Sequence, residues 1–308
     1  MFGPEELRQL LDKQAAVGGW GPLARAITRI ENSPPWQVAL PTPAKPVHLI
    51  GITGPPGAGK STLTGRLIEA YTAAGARVAV LAIDPSSPIS GGAVLGDRLR
   101  METHIMGHEE VFVRSLASRG SHGAIAGATR NVARLLELSE AFDVILIETV
   151  GAGQTEVAIA ELADTIALVT VPGLGDAVQA IKAGLMEVAD LVVVNMADRP
   201  GAPETVRHLK LSLGRDFPVT TTVATEGVGV EELRTMLDER WERLGGDGIG
   251  ELRARKRARE AALIAEAWTR SCAEAQANGE ASLELEGLDL NGRVTRILEE
   301  AARKWTTQ

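Results

Sequence analysis

Gly54-Pro-Pro-Gly-Ala-Gly59-Lys60-Ser61 stands between a short apolar run and an amphipathic one. In that setting a glycine-rich loop between strand and helix turns its backbone N–H groups around a phosphate. Gly57, Ala58 and Gly59 supply the turn, and a helix beginning near Lys60 adds the positive end of its dipole. Lys60 is expected to reach the β and γ oxygens of a nucleoside triphosphate. Ser61 is expected to present its hydroxyl to Mg2+, and Thr62 to lie beside the α-phosphate. The other common nucleotide fingerprint, G-x-G-x-x-G, fails because Thr62 occupies its last glycine position, so a dinucleotide site is not supported.

Acidic residues close two of the apolar runs. Glu148 lies near the end of Val144 to Thr149, where a carboxylate faces the crevice that holds phosphates in an open parallel sheet and so belongs near Mg2+. Asp84 follows Arg77 to Ile83 and, with Asp97, brackets a Ser/Gly-rich segment able to close over a metal-bound phosphate. Either aspartate could instead cap a turn or helix. Gly151 has the spacing at which a loop N–H meets a γ-phosphate and relaxes once that group is gone. Gln154 is a candidate to orient the attacking water, with Asp84 competing for that role. His104 and His108 are four apart, but Gly107 lies between them and no third ligand is evident, so they read as surface histidines.

Asn195-Met196-Ala197-Asp198 is an imperfect copy of the Asn-Lys-x-Asp guanine reader. Asp198 can accept from guanine N1–H and the 2-amino group. Adenine offers neither donor and would leave a buried carboxylate unpaired, at a cost of about 1–3 kcal/mol. Met196 replaces the lysine; its thioether chain can lie along a base but brings no charge, which predicts weaker affinity with guanine preference kept. A backbone N–H of Val223 or Ala224 is the expected partner of guanine O6.

These residues need a scaffold that aligns loop ends on one edge. Short apolar runs at His48 to Thr53, Arg77 to Ile83, Val111 to Val113, Val144 to Thr149, Thr165 to Val171, Leu191 to Asn195 and Pro218 to Val223 lack clean alternation. That is the signature of strands covered on both faces. Helical stretches at Ser61 to Ala74, Gly123 to Glu140, Pro203 to Gly214 and Val230 to Leu244 separate some of them. The pattern predicts an α/β, doubly wound, mostly parallel sheet. Five prolines within 32–46 suggest a boundary, giving an N-terminal helical extension and linker over 1–46. The core domain is expected over 47–246 and a helical C-terminal arm over 247–308. Helices at both ends that stand outside the sheet suggest dimerisation.

Composition bounds the function. The 308 residues are 44% hydrophobic and 23% charged, an ordinary globular balance. With 32 Lys plus Arg against 40 Asp plus Glu, the net charge of -8 argues against a nucleic-acid or anionic-membrane binder. Cys272 is the only cysteine, which excludes an internal disulfide and suits a reducing cytoplasm. No run approaches the length of a membrane span, and the start lacks the order of a secretory signal, so a cytoplasmic location is expected.

Taken together, GPPGAGKST at 54–62, IDPSSPISGGAVLGDRLRM at 83–101, SLASRGSHGA at 115–124, IETVGAGQTEV at 147–157 and VPGLGDAVQAIKAG at 171–184 resemble the MeaB/ArgK-type GTPases of the SIMIBI class. The arginine-rich segment after Gly250 is similar to that family's dimerisation arm. The resemblance implies that Asp84, Asp97 and Glu148 help to hold Mg2+, and that the segment from Gly173 to Lys182 is a further switch that meets a partner. It implies a GTP-hydrolysing homodimer that gates cofactor loading, protection or repair in an adenosylcobalamin-dependent acyl-CoA mutase of the methylmalonyl-CoA type. Three other readings stay open. A small-molecule kinase or transport ATPase would need an acceptor pocket with a base, and none is visible. A nickel-type metallochaperone would need Cys/His clusters, against one Cys and 5 scattered His. A scaffold with degraded nucleotide binding is made conceivable by Met196.

Overall fold

The computed structural model describes residues 19–33, 38, 40–84, 109–117, 122–149, 155–173 and 186–277. Seven strands, β1 (His48–Thr53), β2 (Val78–Asp84), β3 (Val111–Ala117), β4 (Val144–Thr149), β5 (Thr165–Thr170), β6 (Leu191–Asn195) and β7 (Val219–Thr222), form one sheet in the order β3-β2-β4-β1-β5-β6-β7. Every pairing is parallel. The predicted α/β doubly wound fold is therefore present, with all C-terminal strand ends on one edge. β1, β4, β5 and β6 are buried at every position, which explains their unbroken apolar composition.

Besides a single turn at Met186–Val188, the described helices are α1 (Gly21–Glu31), α2 (Lys60–Ala73), α3 (His122–Leu138), α4 (Thr155–Leu162), α5 (Ala202–Leu213) and α6 (Val230–Ala277). Successive strand residues serve opposite faces. Ile145 and Ile147 of β4 pack with Ile27 and Ile30 of α1 and Leu135 of α3. Leu146 of β4 and Ile50 and Ile52 of β1 pack with Leu63 and Leu67 of α2 and with Leu233 and Leu237 of α6.

Within the described part of 1–46, α1 packs against the sheet. Leu23, Ala26, Ile27 and Ile30 form the apolar stripe of α1, and all four are buried in the sheet's own core. Trp20 stacks on Phe142 with centroids 4.9 Å apart and meets Phe112 edge-on at 5.7 Å. Burial of this stripe, not the proline-rich linker, decides which body the helix joins. β3 also runs beyond the predicted Val113, to Ala117. It is an edge strand, where polar residues are tolerated, and Arg114 on it pairs with Glu31 and donates to Thr28 Oγ1 at 2.9 Å, both on α1.

The chain divides into two units, Met1–Gly250 and Glu251–Gln308. α6 leaves helical geometry at Gly245, with φ 59° and ψ 175°. The described part of the second unit is helical through Ala277. No helix among the described residues is long and apolar enough to cross a membrane.

Candidate functional site

The loop between β1 and α2 is shaped by glycine. Gly54 has φ +143°, and a Cβ there would stand 2.1 Å from the Val169 carbonyl oxygen of β5. The loop can therefore lie down on the neighbouring strand only without a side chain. Lys60, the first residue of α2, is 6% exposed, and its Nζ donates to the Gly54 carbonyl at 2.8 Å and the Pro55 carbonyl at 3.1 Å. The ammonium is thus folded over the loop's own backbone, within the loop that an anion would occupy.

One residue further, Ser61 Oγ donates to Glu148 Oε1 at 2.6 Å. Glu148 is 1% exposed and sits opposite Ile52 of β1 and Ala82 of β2 in the sheet register. A hydroxyl and a carboxylate brought to this distance at a strand edge form a hard-oxygen donor pair, which fits Mg2+ in chemistry. β2 ends at Asp84 beside Ala117 of β3, so the backbone delivers Asp84 to the same edge of the sheet. Asp97, Gly151, Gln154, His104 and His108 lie outside the described residues, as does most of the segment expected to act as a further switch.

The segment expected to read the base is tied to the phosphate loop by Asn195. This residue ends β6, is 2% exposed, and uses both ends of its amide inside the protein. Nδ2 donates to the Ala58 carbonyl at 2.9 Å, while Oδ1 accepts from Thr222 Oγ1 at 3.0 Å and from the Ala224 N–H at 3.1 Å. Three loops at the C-terminal edge are joined through one side chain. Met196 follows with φ 56°, and its Cε lies 3.6 Å from the point where a Cβ on Gly59 would stand. The thioether therefore covers the phosphate loop, as a stem without a charge would. Asp198 is exposed.

The two expected O6 donors are engaged differently. The Val223 N–H donates to the Val228 carbonyl at 3.0 Å, because residues 223 and 228 close a small antiparallel bridge. The Ala224 N–H serves Asn195. Spacing along the chain could not show these internal bonds, since both arise from loops meeting in space.

Arg66 is a residue that motif reading missed. Two turns into α2, it donates to the Ala224 and Thr225 carbonyls at 3.0 and 2.7 Å. Nothing in the local pattern marks it, because its partners lie 158 and 159 residues away. α2 is braced further along by Tyr71, whose hydroxyl donates to Asp238 Oδ1 of α6 at 3.0 Å. Burial, reinforced by the Asp238 charge, pushes the Tyr71 hydroxyl far above its ordinary range. Burial also raises Asp238, against the Tyr71 hydrogen bond and the nearby Arg234 charge.

Residues 23–279 match the family described as "Methylmalonyl Co-A mutase-associated GTPase MeaB". The chain is 46% identical over 251 residues to a Pyrococcus abyssi protein that bears a GTPase name, covering 77% of each. It is 42% identical over 149 residues to the mouse protein named "Methylmalonic aciduria type A homolog, mitochondrial", covering 48% of this chain and 35% of that one. In fold it is similar to a crystal structure titled as a LAO/AO transport system kinase, with a TM-score of 0.64 at 23% identity over 98% of this chain and 99% of that one.

Proposed function

Because the chain belongs to the MeaB family of mutase-associated GTPases, we propose that its GTP cycle acts as a timer for an adenosylcobalamin-dependent acyl-CoA mutase of the methylmalonyl-CoA type. GTP binding and hydrolysis gate the loading or protection of the mutase cofactor. The observation that carries the reading is the meeting of three groups at one sheet edge. The Lys60 ammonium lies over the phosphate loop, the Ser61–Glu148 pair stands beside it, and Asn195 ties the base segment to the Ala58 carbonyl.

In this reading Lys60 and the loop N–H groups neutralise charge on the transferring phosphoryl, so little covalent chemistry is asked of the protein. Ser61 and Glu148 would hold Mg2+, with Asp84 and Asp97 as further candidates; the ion supplies charge neutralisation at the β and γ oxygens. Asp198 reads the guanine edge, and Gly151, Gln154 and the segment after Gly173 respond to the γ-phosphate. The protein acts as a homodimer in the cytoplasm, with 247–308 as the arm.

The test is GTP turnover by the purified protein, alone and with an adenosylcobalamin-dependent mutase from the same cell. Slow intrinsic turnover that rises when the mutase is added supports the timer. Equal rates with and without the mutase would remove the partner from the proposal and leave a GTPase without a client.

A further inference from the structure

Arg66 stands six residues beyond Lys60 on α2, with its side chain 31% exposed. Its Nε donates to the Ala224 carbonyl at 3.0 Å, Nη2 to the Thr225 carbonyl at 2.7 Å and Nη1 to Glu69 Oε2 at 2.9 Å. Glu69 thus orients a planar fork whose remaining donors clamp two successive carbonyls, a geometry that a lysine ammonium reproduces only in part. A trans peptide carries its C=O and N–H on opposite sides. Holding the Ala224 carbonyl toward α2 therefore aims the Thr225 N–H away from it.

The other N–H groups of the turn are used. Val223 donates to the Val228 carbonyl at 3.0 Å, Ala224 to Asn195 Oδ1 at 3.1 Å, Glu226 to the Val223 carbonyl at 3.0 Å and Gly227 to the Ala224 carbonyl at 3.3 Å. Among the described residues none accepts from the Thr225 N–H. We propose that Arg66 is a positioning residue for the base pocket: its clamp on the Ala224 and Thr225 carbonyls aims the Thr225 N–H at the guanine O6 position expected at this turn, acting on the nucleotide without touching it. The proposal deepens the GTPase reading above and rests on it. Arg66 thereby fixes the turn at 224–225 to α2, while Asn195 separately ties its own segment to the Ala58 carbonyl.

The experiment compares affinities for GDP, inosine diphosphate, which lacks the 2-amino group, and 6-thio-GDP, which replaces O6 by sulfur. Isothermal titration is run on the full chain and on Arg66→Ala and Arg66→Lys, with thermal melting of each. The unaltered protein is expected to prefer GDP over both analogues. Arg66→Ala should weaken GDP about tenfold, from loss of charge-assisted hydrogen bonds that hold the turn. It should also close the gap between GDP and 6-thio-GDP while leaving the gap to inosine diphosphate, which reports on Asp198. Arg66→Lys should fall between the two. An undiminished gap to 6-thio-GDP in a folded Arg66→Ala overturns the assignment, and so does equal loss of both gaps. Should Arg66→Ala fail to fold, the same gap in Arg66→Lys decides in the same way. Absence of guanine binding by the unaltered protein would instead sink the GTPase reading itself.

Discussion

The amide nitrogen of Asn195 lies 2.4 Å from the point where a Cβ on Gly59 would stand. Asn195 can reach the Ala58 carbonyl only because the next residue has no side chain, and Gly59 itself has φ +82°. Replacing Gly59 by Ala therefore combines a left-handed backbone cost of about 1–2 kcal/mol with displacement of the side chain that joins three loops. The expected outcome is a lower melting temperature together with loss of saturable GDP binding in a fluorescence titration. Unchanged GDP affinity would show that the Asn195 tie does not shape the phosphate loop.

Ser61 and Glu148 should act as one unit toward Mg2+. With Ser61→Ala, the Mg2+ dependence of GTP turnover should shift upward in concentration by about tenfold or more, as expected when one ligand or its neighbour is lost. Nucleotide binding without Mg2+ should change little. A Mg2+ titration that superimposes on that of the unaltered protein would remove this pair from the metal site.

Met196→Lys places an ammonium where a thioether now covers the phosphate loop. The backbone at 196 already adopts φ 56° with a side chain present, so the substitution adds no new backbone strain of the glycine kind. Guanine affinity should rise about three- to tenfold, more at low salt than at high. An unchanged GDP affinity at both ionic strengths would mean that apolar contact is all this position provides.

Asp143 offers a test of pH dependence away from the site. Burial raises its pKa, but the Arg77 N–H at 2.9 Å and Nε at 3.3 Å outweigh that and hold it below the ordinary aspartate range. A carboxylate with a depressed folded pKa stabilises the fold above its unfolded pKa and loses that effect as pH falls through the folded one. The side chains of Arg77 and Asp143 are 48% and 47% exposed, so screening leaves about 0.5 kcal/mol at pH 7. Urea melts of Asp143→Asn should show this deficit at pH 7 and its progressive loss as pH falls from about 4 through the folded pKa; a deficit constant with pH would contradict the charge account.

Much of the fold is legible along the chain because its causes are local or periodic. The phosphate loop is continuous from Gly54 to Ser61, and the buried strands declare themselves as short Val/Ile-rich runs. Where the reading slipped, the deciding contact was remote. β3 extends into polar sequence because Arg114 finds Glu31 on α1. α1 likewise buries Ile27 and Ile30 beside Ile145 and Ile147 of β4, partners that no local pattern names.

By itself the sequence determined the chemistry on offer: a phosphate cradle, a hydroxyl and a carboxylate for a hard cation, and an acid suited to guanine, each written in neighbouring residues or at a strand end. Only the tertiary structure decided how these parts are held. Asn195 spends its amide on Ala58, Thr222 and Ala224, and Arg66 clamps the turn at 224–225. The reason is physical. A motif records short-range geometry that the chain imposes on itself, whereas hydrogen bonds between segments 27 to 159 residues apart exist only after the parallel sheet has brought their ends to a common edge.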